Sequence, residues 1–273
     1  MKKTSTLFRL GRRRTVGIAL LLLAAGAWGA YWYAATPRLT DEIAGYQLAE
    51  KLGCHGCHGP RGTGGTPNPK SDESEVPSWD GGTPMMYAEN EQELREWILG
   101  GVPRRLAAQH ENGAHAHVHG PGGDPHALPI RMPAFRDVVS ERELELLVAY
   151  VKAVAYWNTI PDAARQGRRA AAGLGCFGCH GPGGMLGVAN PRSFKGYIPP
   201  WRGKDFDELV RDEDELRSWI LDGRIARFES NRLAHFFTRR QVVQMPAYKG
   251  AVSEQDLNDI VAYIQWLSKE ETR

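Results

Sequence analysis

The sequence has few cysteines and no excess of charge, and each shortage excludes a class of protein. Four cysteines in 273 residues are too few for a disulfide-stabilised scaffold of this size. The six basic residues among residues 1–37 account for the formal charge of +2, and the rest of the chain has 28 basic against 32 acidic residues. A mildly acidic body does not suit nucleic-acid binding, which needs clustered positive charge. With 42% hydrophobic and 24% charged residues, the chain is neither disordered nor a polytopic membrane protein.

Acidic residues are absent from residues 1–37, where the basic residues precede an uncharged stretch, Thr15–Pro37. Such a stretch spans a bilayer, since about 20 apolar residues suffice. Aromatic residues, which favour the membrane–water interface, cluster at its far end: Trp28, Tyr31, Trp32 and Tyr33. We expect a single-pass helix in a bacterial inner membrane, with everything after Pro37 in the periplasm. A cleaved signal peptide, with Ala25-Gly26-Ala27 at the cleavage site, is the alternative.

The remaining chain contains an internal repeat. Three segments recur 122 residues later: Cys-x-x-Cys-His (54–58 and 176–180), a Pro-x-Trp segment (77–79 and 199–201) and an amphipathic segment with tryptophan (93–99 and 215–221). A Met-Pro-Ala segment recurs at 132–134 and 245–247. Each copy is long enough to bury its own core. We therefore expect an N-terminal membrane segment over residues 1–37 and tandem domains over residues 38–157 and 158–273.

Both copies are predicted to be mostly helical, which gives an all-α fold. Ser140 and Ser253 each open a helix with a capping-box pattern, and the apolar residues that follow recur at i, i+3, i+4 and i+7. A shorter helix carries Trp97 or Trp219, and another helix leads into each cysteine motif. The two copies meet near Pro161, where the apolar periodicity stops.

Cys-x-x-Cys-His is the attachment signature of a c-type haem. Two thiols one helical turn apart each form a thioether to a haem vinyl group, and the next residue is held under the iron as proximal ligand. We expect two covalently attached haem c groups, which occupy all four cysteines. The residues are Cys54, Cys57, His58, Cys176, Cys179 and His180. A redox-active Cys-x-x-Cys would need a strand–helix context, which the sequence does not indicate.

A methionine that precedes the last helix of each copy is the predicted sixth ligand of each iron. Met132 and Met245 both lie in Met-Pro-Ala, where proline restricts the backbone. The predicted iron ligands are therefore His58 with Met132 and His180 with Met245. The other three methionines after the N-terminal segment have no counterpart in the repeat and are interpreted as packing residues: Met85, Met86 and Met185.

With these motifs the chain resembles class I c-type cytochromes in a tandem, dihaem arrangement, over residues 40–157 and 160–270. The resemblance implies a respiratory electron carrier without catalytic residues, because both axial positions of each iron are filled. Because a membrane anchor would keep the carrier near the membrane, we expect its partners to be a quinol-oxidising complex and a terminal oxidase or another reductase. The resemblance also implies that the carbonyls of Pro60 and Pro182 accept hydrogen bonds from the ligand histidines, which raises ligand basicity.

A histidine-rich segment leaves other functions open. Five histidines lie within residues 109–126 and can chelate zinc or copper. A histidine of this segment that displaced Met132 would lower the potential of that haem. The alternative function is a dihaem peroxidase-like oxidoreductase with one haem open or His-ligated. A metal-sensing or metal-storing module is a third hypothesis.

Several residues near the motifs have two interpretations each. Trp79 and Trp201 either donate to a haem propionate or fill the core. The acidic residues of 205–215 either steer a basic partner or lie in a solvated helix start. Four arginines either neutralise propionates or remain solvated: Arg104, Arg105, Arg224 and Arg227.

Overall fold

A computed structural model describes residues 4–69, 71, 73–111, 129–157 and 160–269. These residues are mostly helical, as predicted. The helices are α1 (Thr4–Ala35), α2 (Asp41–Lys51), α3 (His55–His58), α4 (Pro84–Tyr87), α5 (Glu91–Gly100), α6 (Arg104–Glu111), α7 (Glu141–Ala155), α8 (Asp162–Gly173), α9 (Phe177–His180), α10 (Lys204–Leu209), α11 (Glu213–Asp222), α12 (Ala226–Ser230), α13 (Arg232–Arg240) and α14 (Glu254–Lys269). The strands β1 (Val188–Ala189) and β2 (Tyr197–Ile198) form a short antiparallel pair.

The helix α1 contains all but the last two residues of the uncharged N-terminal stretch. Its segment Val16–Ala35 is long and apolar enough to cross a membrane, and none of this segment is buried in the protein. The chain after α1 is attached to the second repeat (residues 158–273). The backbone N–H of Arg38 donates to Asp205 Oδ2 at 2.9 Å.

In each repeat, the helix before the cysteine motif crosses the last helix at a glycine. The helix α2 packs on α7 in the first repeat (residues 38–157), and α8 packs on α14 in the second. A Cβ atom on Gly45 would lie 1.9 Å from the carbonyl oxygen of Leu146. One on Gly167 would lie 1.8 Å from that of Asp259. Both crossings therefore bring the backbones closer than any residue with a Cβ permits.

The predicted caps of the last helices are confirmed. Ser140 forms the reciprocal capping box with Glu143 at the start of α7. At α14 the backbone N–H of Asp256 donates to Ser253 Oγ at 3.0 Å. Each cap fixes the point at which the chain leaves the segment with the predicted methionine ligand and enters the last helix.

Each repeat has a cluster of buried apolar side chains against its crossed helices. The repeats also contact each other: Arg202 forms an ion pair with Glu42 at 2.9 Å, and the Arg168 guanidinium lies 3.5 Å from the ring centre of Tyr156. The histidine-rich segment, apart from the end of α6, lies outside the described residues. Its predicted metal binding stays a prediction.

Candidate functional site

Each Cys-x-x-Cys-His motif forms a single helical turn. In α3 the backbone N–H of His58 donates to the carbonyl oxygen of Cys54 at 3.0 Å, and in α9 His180 donates to Cys176 at the same distance. One turn of helix therefore brings both cysteines and the histidine of each motif together. All four cysteines are free of disulfides, which leaves them available for thioether attachment.

The two histidines predicted as iron ligands lie near the carbonyl of a proline. His58 Nδ1 donates to the carbonyl oxygen of Pro77 at 2.7 Å. This bond places the ring proton on Nδ1 and leaves Nε2 free to coordinate a metal. In the second repeat the Pro199 carbonyl opposes the fall in the pKa of His180 that burial causes, but His180 Nδ1 is buried without a hydrogen bond of standard geometry.

The prediction that Pro60 and Pro182 supply these carbonyls is wrong. Each of these prolines begins a turn of 3-10 helix, and its carbonyl accepts a hydrogen bond within that turn. Thr63 donates to Pro60, and Met185 donates to Pro182. The prolines that face the histidines lie 17 residues further along the chain, in the Pro-x-Trp segments.

Burial keeps both histidines in the form that binds iron. Desolvation lowers the pKa of His180 to about 4. It also lowers the pKa of His58, although the Pro77 carbonyl partly offsets the effect. Both imidazoles are therefore neutral at neutral pH, as a metal ligand must be. Burial also raises the pKa of the Cys54 and Cys176 thiols.

A tryptophan packs against each of these histidines. The rings of Trp79 and His58 stack with centroids 4.5 Å apart, and those of Trp201 and His180 lie 4.9 Å apart. Both tryptophans are buried in the core clusters, which supports the core interpretation. The Trp201 ring also lies against the backbone of Gly184, where a Cβ atom would be 2.2 Å from Trp201 Cε3. The glycine therefore allows the backbone to hold the tryptophan against the histidine.

We predict that Gly184→Ala destabilises the protein more than Gly250→Ala. Both glycines have a positive φ, so each alanine costs about 1–2 kcal/mol in backbone strain. Only at Gly184 does the new methyl group also collide with a buried ring, whereas Gly250 has open space around it. Thermal unfolding of the two variants measures the difference. Equal losses would show that the contact with Trp201 is unimportant.

In the second repeat the four predicted haem contacts surround one cavity. Its volume is about 450 Å³, and Cys176, Cys179, His180 and Met245 all line it. Most of the other lining side chains are apolar, among them Phe206, Trp219, Ile220 and Phe237. A mostly apolar cavity with two thiols, an imidazole and a thioether fits a covalently attached porphyrin. In the first repeat, Cys54 and Met132 both pack against the core cluster of that repeat.

The methionine segments are held against the tryptophan helices α5 and α11. Phe135 donates to the carbonyl oxygen of Ile98 at 3.1 Å, and Tyr248 donates to that of Ile220 at 3.0 Å. The helix α11 ends at Gly223, where a Cβ atom would lie 2.3 Å from the carbonyl oxygen of Met245. The backbone next to each predicted ligand is therefore fixed by equivalent contacts.

A buried asparagine in each repeat also holds the methionine segment. Asn190 accepts from the backbone N–H of Val243 and donates to its carbonyl, both at 2.9 Å. Asn68 forms the same pair of bonds with Ile130, both at 3.0 Å. Each bonded residue lies two positions before the methionine. Sequence reasoning missed these asparagines, although an Asn-Pro pair at both places in the repeat was the available signal.

We expect Asn190→Ala to loosen Met245. The change removes both bonds to Val243 and leaves its partly buried backbone N–H and carbonyl unpaired, at a cost of up to about 1–3 kcal/mol each. The near-infrared absorption band of methionine-ligated ferric haem should therefore weaken for the second site. Asn190→Asp, which keeps only the acceptor, should have a smaller effect. A full-strength band in Asn190→Ala would contradict a positioning role.

Other residues near the motifs have mainly structural contacts. Three of the four arginines form ion pairs with glutamates of the tryptophan helices: Arg104 with Glu96, Arg105 with Glu93 and Arg227 with Glu215. His55 was not predicted to be a functional residue, and its Nε2 lies 2.8 Å from the hydroxyl oxygen of Tyr150.

The interpretation of three other methionines as packing residues is wrong for Met85 and Met86, which are exposed. It fits Met185, which packs on the second core.

The acidic residues of the second repeat are partly internal. Asp205 is only 3% exposed and accepts hydrogen bonds from Lys195 at 2.5 Å and from Tyr197 at 2.6 Å. A buried, paired carboxylate contributes little to steering a partner. Asp205 instead fixes the segment that follows α1.

Residues 162–264 match the family model "Cytochrome C oxidase, cbb3-type, subunit III". The match spans less than half of the chain and includes Cys176, Cys179, His180 and Met245. Searches among curated proteins and solved structures return no match. The second repeat thus contains a c-type cytochrome domain, which implies covalently bound haem c and electron transfer.

Proposed function

We propose that the chain is a membrane-anchored dihaem cytochrome c, which carries single electrons between respiratory redox proteins on the periplasmic side of a bacterial inner membrane. The observation that carries this proposal is the meeting of Cys176, Cys179, His180 and Met245 at one mostly apolar cavity. That cavity lies within the part of the chain that matches a cytochrome family.

The residues around the cavity have complementary roles. A bound haem c supplies the one-electron couple. Cys176 and Cys179 would hold the group through thioethers, and His180 would supply neutral Nε2 as an iron ligand. Met245 would supply a thioether ligand, which favours the ferrous state and a relatively high potential. With His180 and Met245 both bound to the iron, no coordination site would remain for a substrate, which supports a carrier rather than an enzyme.

The first repeat supports a second haem because its contacts repeat those of the second. His58 bonds to the Pro77 carbonyl and stacks on Trp79. Asn68 holds the segment of Met132 as Asn190 holds that of Met245. Because these contacts repeat those around the cavity of the second repeat, they support a haem in the first repeat as well. Two haems on one chain give two relay points for electrons.

The membrane location is supported by α1 and by its attachment to the second repeat. Twenty residues of α1 are apolar enough to span a bilayer. The basic residues that precede this span favour a cytoplasmic N-terminus, which places the two repeats and their haems outside the cytoplasm. The partners that suit such a carrier are a quinol-oxidising complex as donor and a terminal oxidase or another reductase as acceptor.

The haem count of paired cysteine variants tests this proposal. We expect two haems per chain by pyridine haemochrome analysis in the full-length protein. We expect one each in Cys54→Ser/Cys57→Ser and in Cys176→Ser/Cys179→Ser, because either double substitution removes one pair of thioethers. A single haem in the unchanged protein would contradict the dihaem assignment. Peroxide turnover by the unchanged protein would contradict the carrier assignment.

A further inference from the structure

Helix α13, in the second repeat, has apolar side chains that are exposed to solvent. Leu233 is 58% exposed and Phe236 is 49% exposed. The helix also faces inwards, since Ala234, Phe237 and Thr238 line the cavity next to His180. Leu233 lines that cavity too, whereas Phe236 does not. The exposed apolar face is therefore a surface feature of a helix that covers the haem site.

A chain of aromatic contacts connects this face to the outer end of α1. The ring centroids are 6.1 Å apart for Tyr31 and Phe194, 5.1 Å for Phe194 and Phe237, and 5.3 Å for Phe237 and Phe236. Tyr31 lies four residues before the end of α1, about 6 Å along the axis at 1.5 Å per residue. The second repeat therefore contacts α1 at the depth where aromatic residues meet the membrane–water interface.

Ion pairs hold the second repeat in this position. The backbone of Arg38, three residues after α1, donates to the buried carboxylate of Asp205, and its side chain pairs with Glu208. Lys195 bridges the same two carboxylates at 2.5 and 2.6 Å. Only residues 36 and 37 separate the end of α1 from Arg38, which is bonded to the second repeat. This short connection keeps α13 close to the end of α1.

The charge of α13 suits an anionic lipid surface. The helix contains Arg232, Arg239 and Arg240 and no acidic residue. The Arg240 guanidinium lies 5.0 Å from the ring centre of Phe236, so a cation borders the exposed apolar face. Basic residues beside exposed leucine and phenylalanine are typical of helices that lie in the plane of a membrane interface.

We propose that α13 docks on the outer surface of the bilayer. Phe236 enters the boundary between headgroups and acyl chains, Leu233 lies between this boundary and the cavity, and the arginines contact anionic headgroups. This inference rests on the proposed membrane span of α1. Its consequence is that the cavity with His180 and Met245, which lies behind α13, is held next to the membrane surface.

Spin labelling of the full-length holoprotein in nanodiscs tests the docking. A nitroxide on Phe236→Cys should collide several-fold less with an aqueous nickel complex, and more with oxygen, in phosphatidylglycerol nanodiscs than in detergent. A nitroxide on Val138→Cys, a somewhat more exposed site in the first repeat, should show no such change. The protection at position 236 should fall when Arg232, Arg239 and Arg240 are all replaced by glutamate.

A label on Ala25→Cys separates the two proposals. If position 25 is embedded in lipid and position 236 stays fully accessible to nickel, the docking is wrong and the membrane anchor stands. If position 25 is also accessible to nickel, both proposals are wrong. Protection at position 236 that appears only after other membrane proteins are added would assign the surface to a protein partner and overturn lipid docking.

Discussion

Replacing Met245 by histidine is expected to lower the midpoint potential of the second haem by a sizeable part of the ~0.8 V range that axial ligands control. A thioether stabilises ferrous iron, whereas a second imidazole donates more strongly and stabilises ferric iron. Met245 lines the cavity together with His180, so under the proposed ligation the change acts on the iron itself. A spectroelectrochemical titration measures both potentials.

The repeat provides the controls for this substitution. Met132→His should lower the potential of the first haem and leave the second within error. Met185→His, at a half-buried methionine of the second core, should leave both potentials nearly unchanged. If Met245→His left the potentials of both haems unchanged, Met245 would not be an iron ligand.

The second large effect is expected for Gly167→Ala, which should lower the free energy of unfolding by at least about 1–3 kcal/mol, the usual cost of overpacking. The new methyl group would lie 1.8 Å from the carbonyl oxygen of Asp259. Because that oxygen belongs to the backbone of α14, no side-chain rotation relieves the clash. The helices α8 and α14 must separate, and the haem site lies beside their crossing.

Gly173→Ala is the matched control for the crossing. Gly173 lies at the end of the same helix, with no atom near its Cβ position. Alanine there should be neutral or slightly stabilising, since it has the higher helix propensity. Gly45→Ala should weaken the first repeat in the same way as Gly167→Ala weakens the second. Chemical denaturation of the holoproteins measures all three changes, and an unaffected Gly167→Ala variant would contradict the close crossing.

Local features of the fold were predictable from the sequence. The cap at Ser140 and the periodic apolar residues after it depend on neighbours within two turns of helix, so they define α7 without knowledge of the tertiary fold. The cysteine motifs are equally local, because each forms a single turn. The repeat then placed both methionines at equivalent points.

Contacts between distant segments were not predictable in the same way. Pro60 is close to His58 in sequence, but the 3-10 turn uses its carbonyl, and the path of the chain brings Pro77 to the ring. Asn190 reaches Val243 across 53 residues. Asp205 lies in an acidic run of the sequence, yet it is buried and accepts a hydrogen bond from the backbone of Arg38. In each case the partner is chosen by tertiary packing rather than by sequence spacing.

The most direct test of the account is the near-infrared magnetic circular dichroism of the fully oxidised, full-length protein. This spectrum identifies the axial ligands of low-spin ferric haem and counts each type per chain. The account predicts two histidine–methionine haems, one from His58 with Met132 and one from His180 with Met245. A bis-histidine or high-spin haem, or only one histidine–methionine haem per chain, would contradict it.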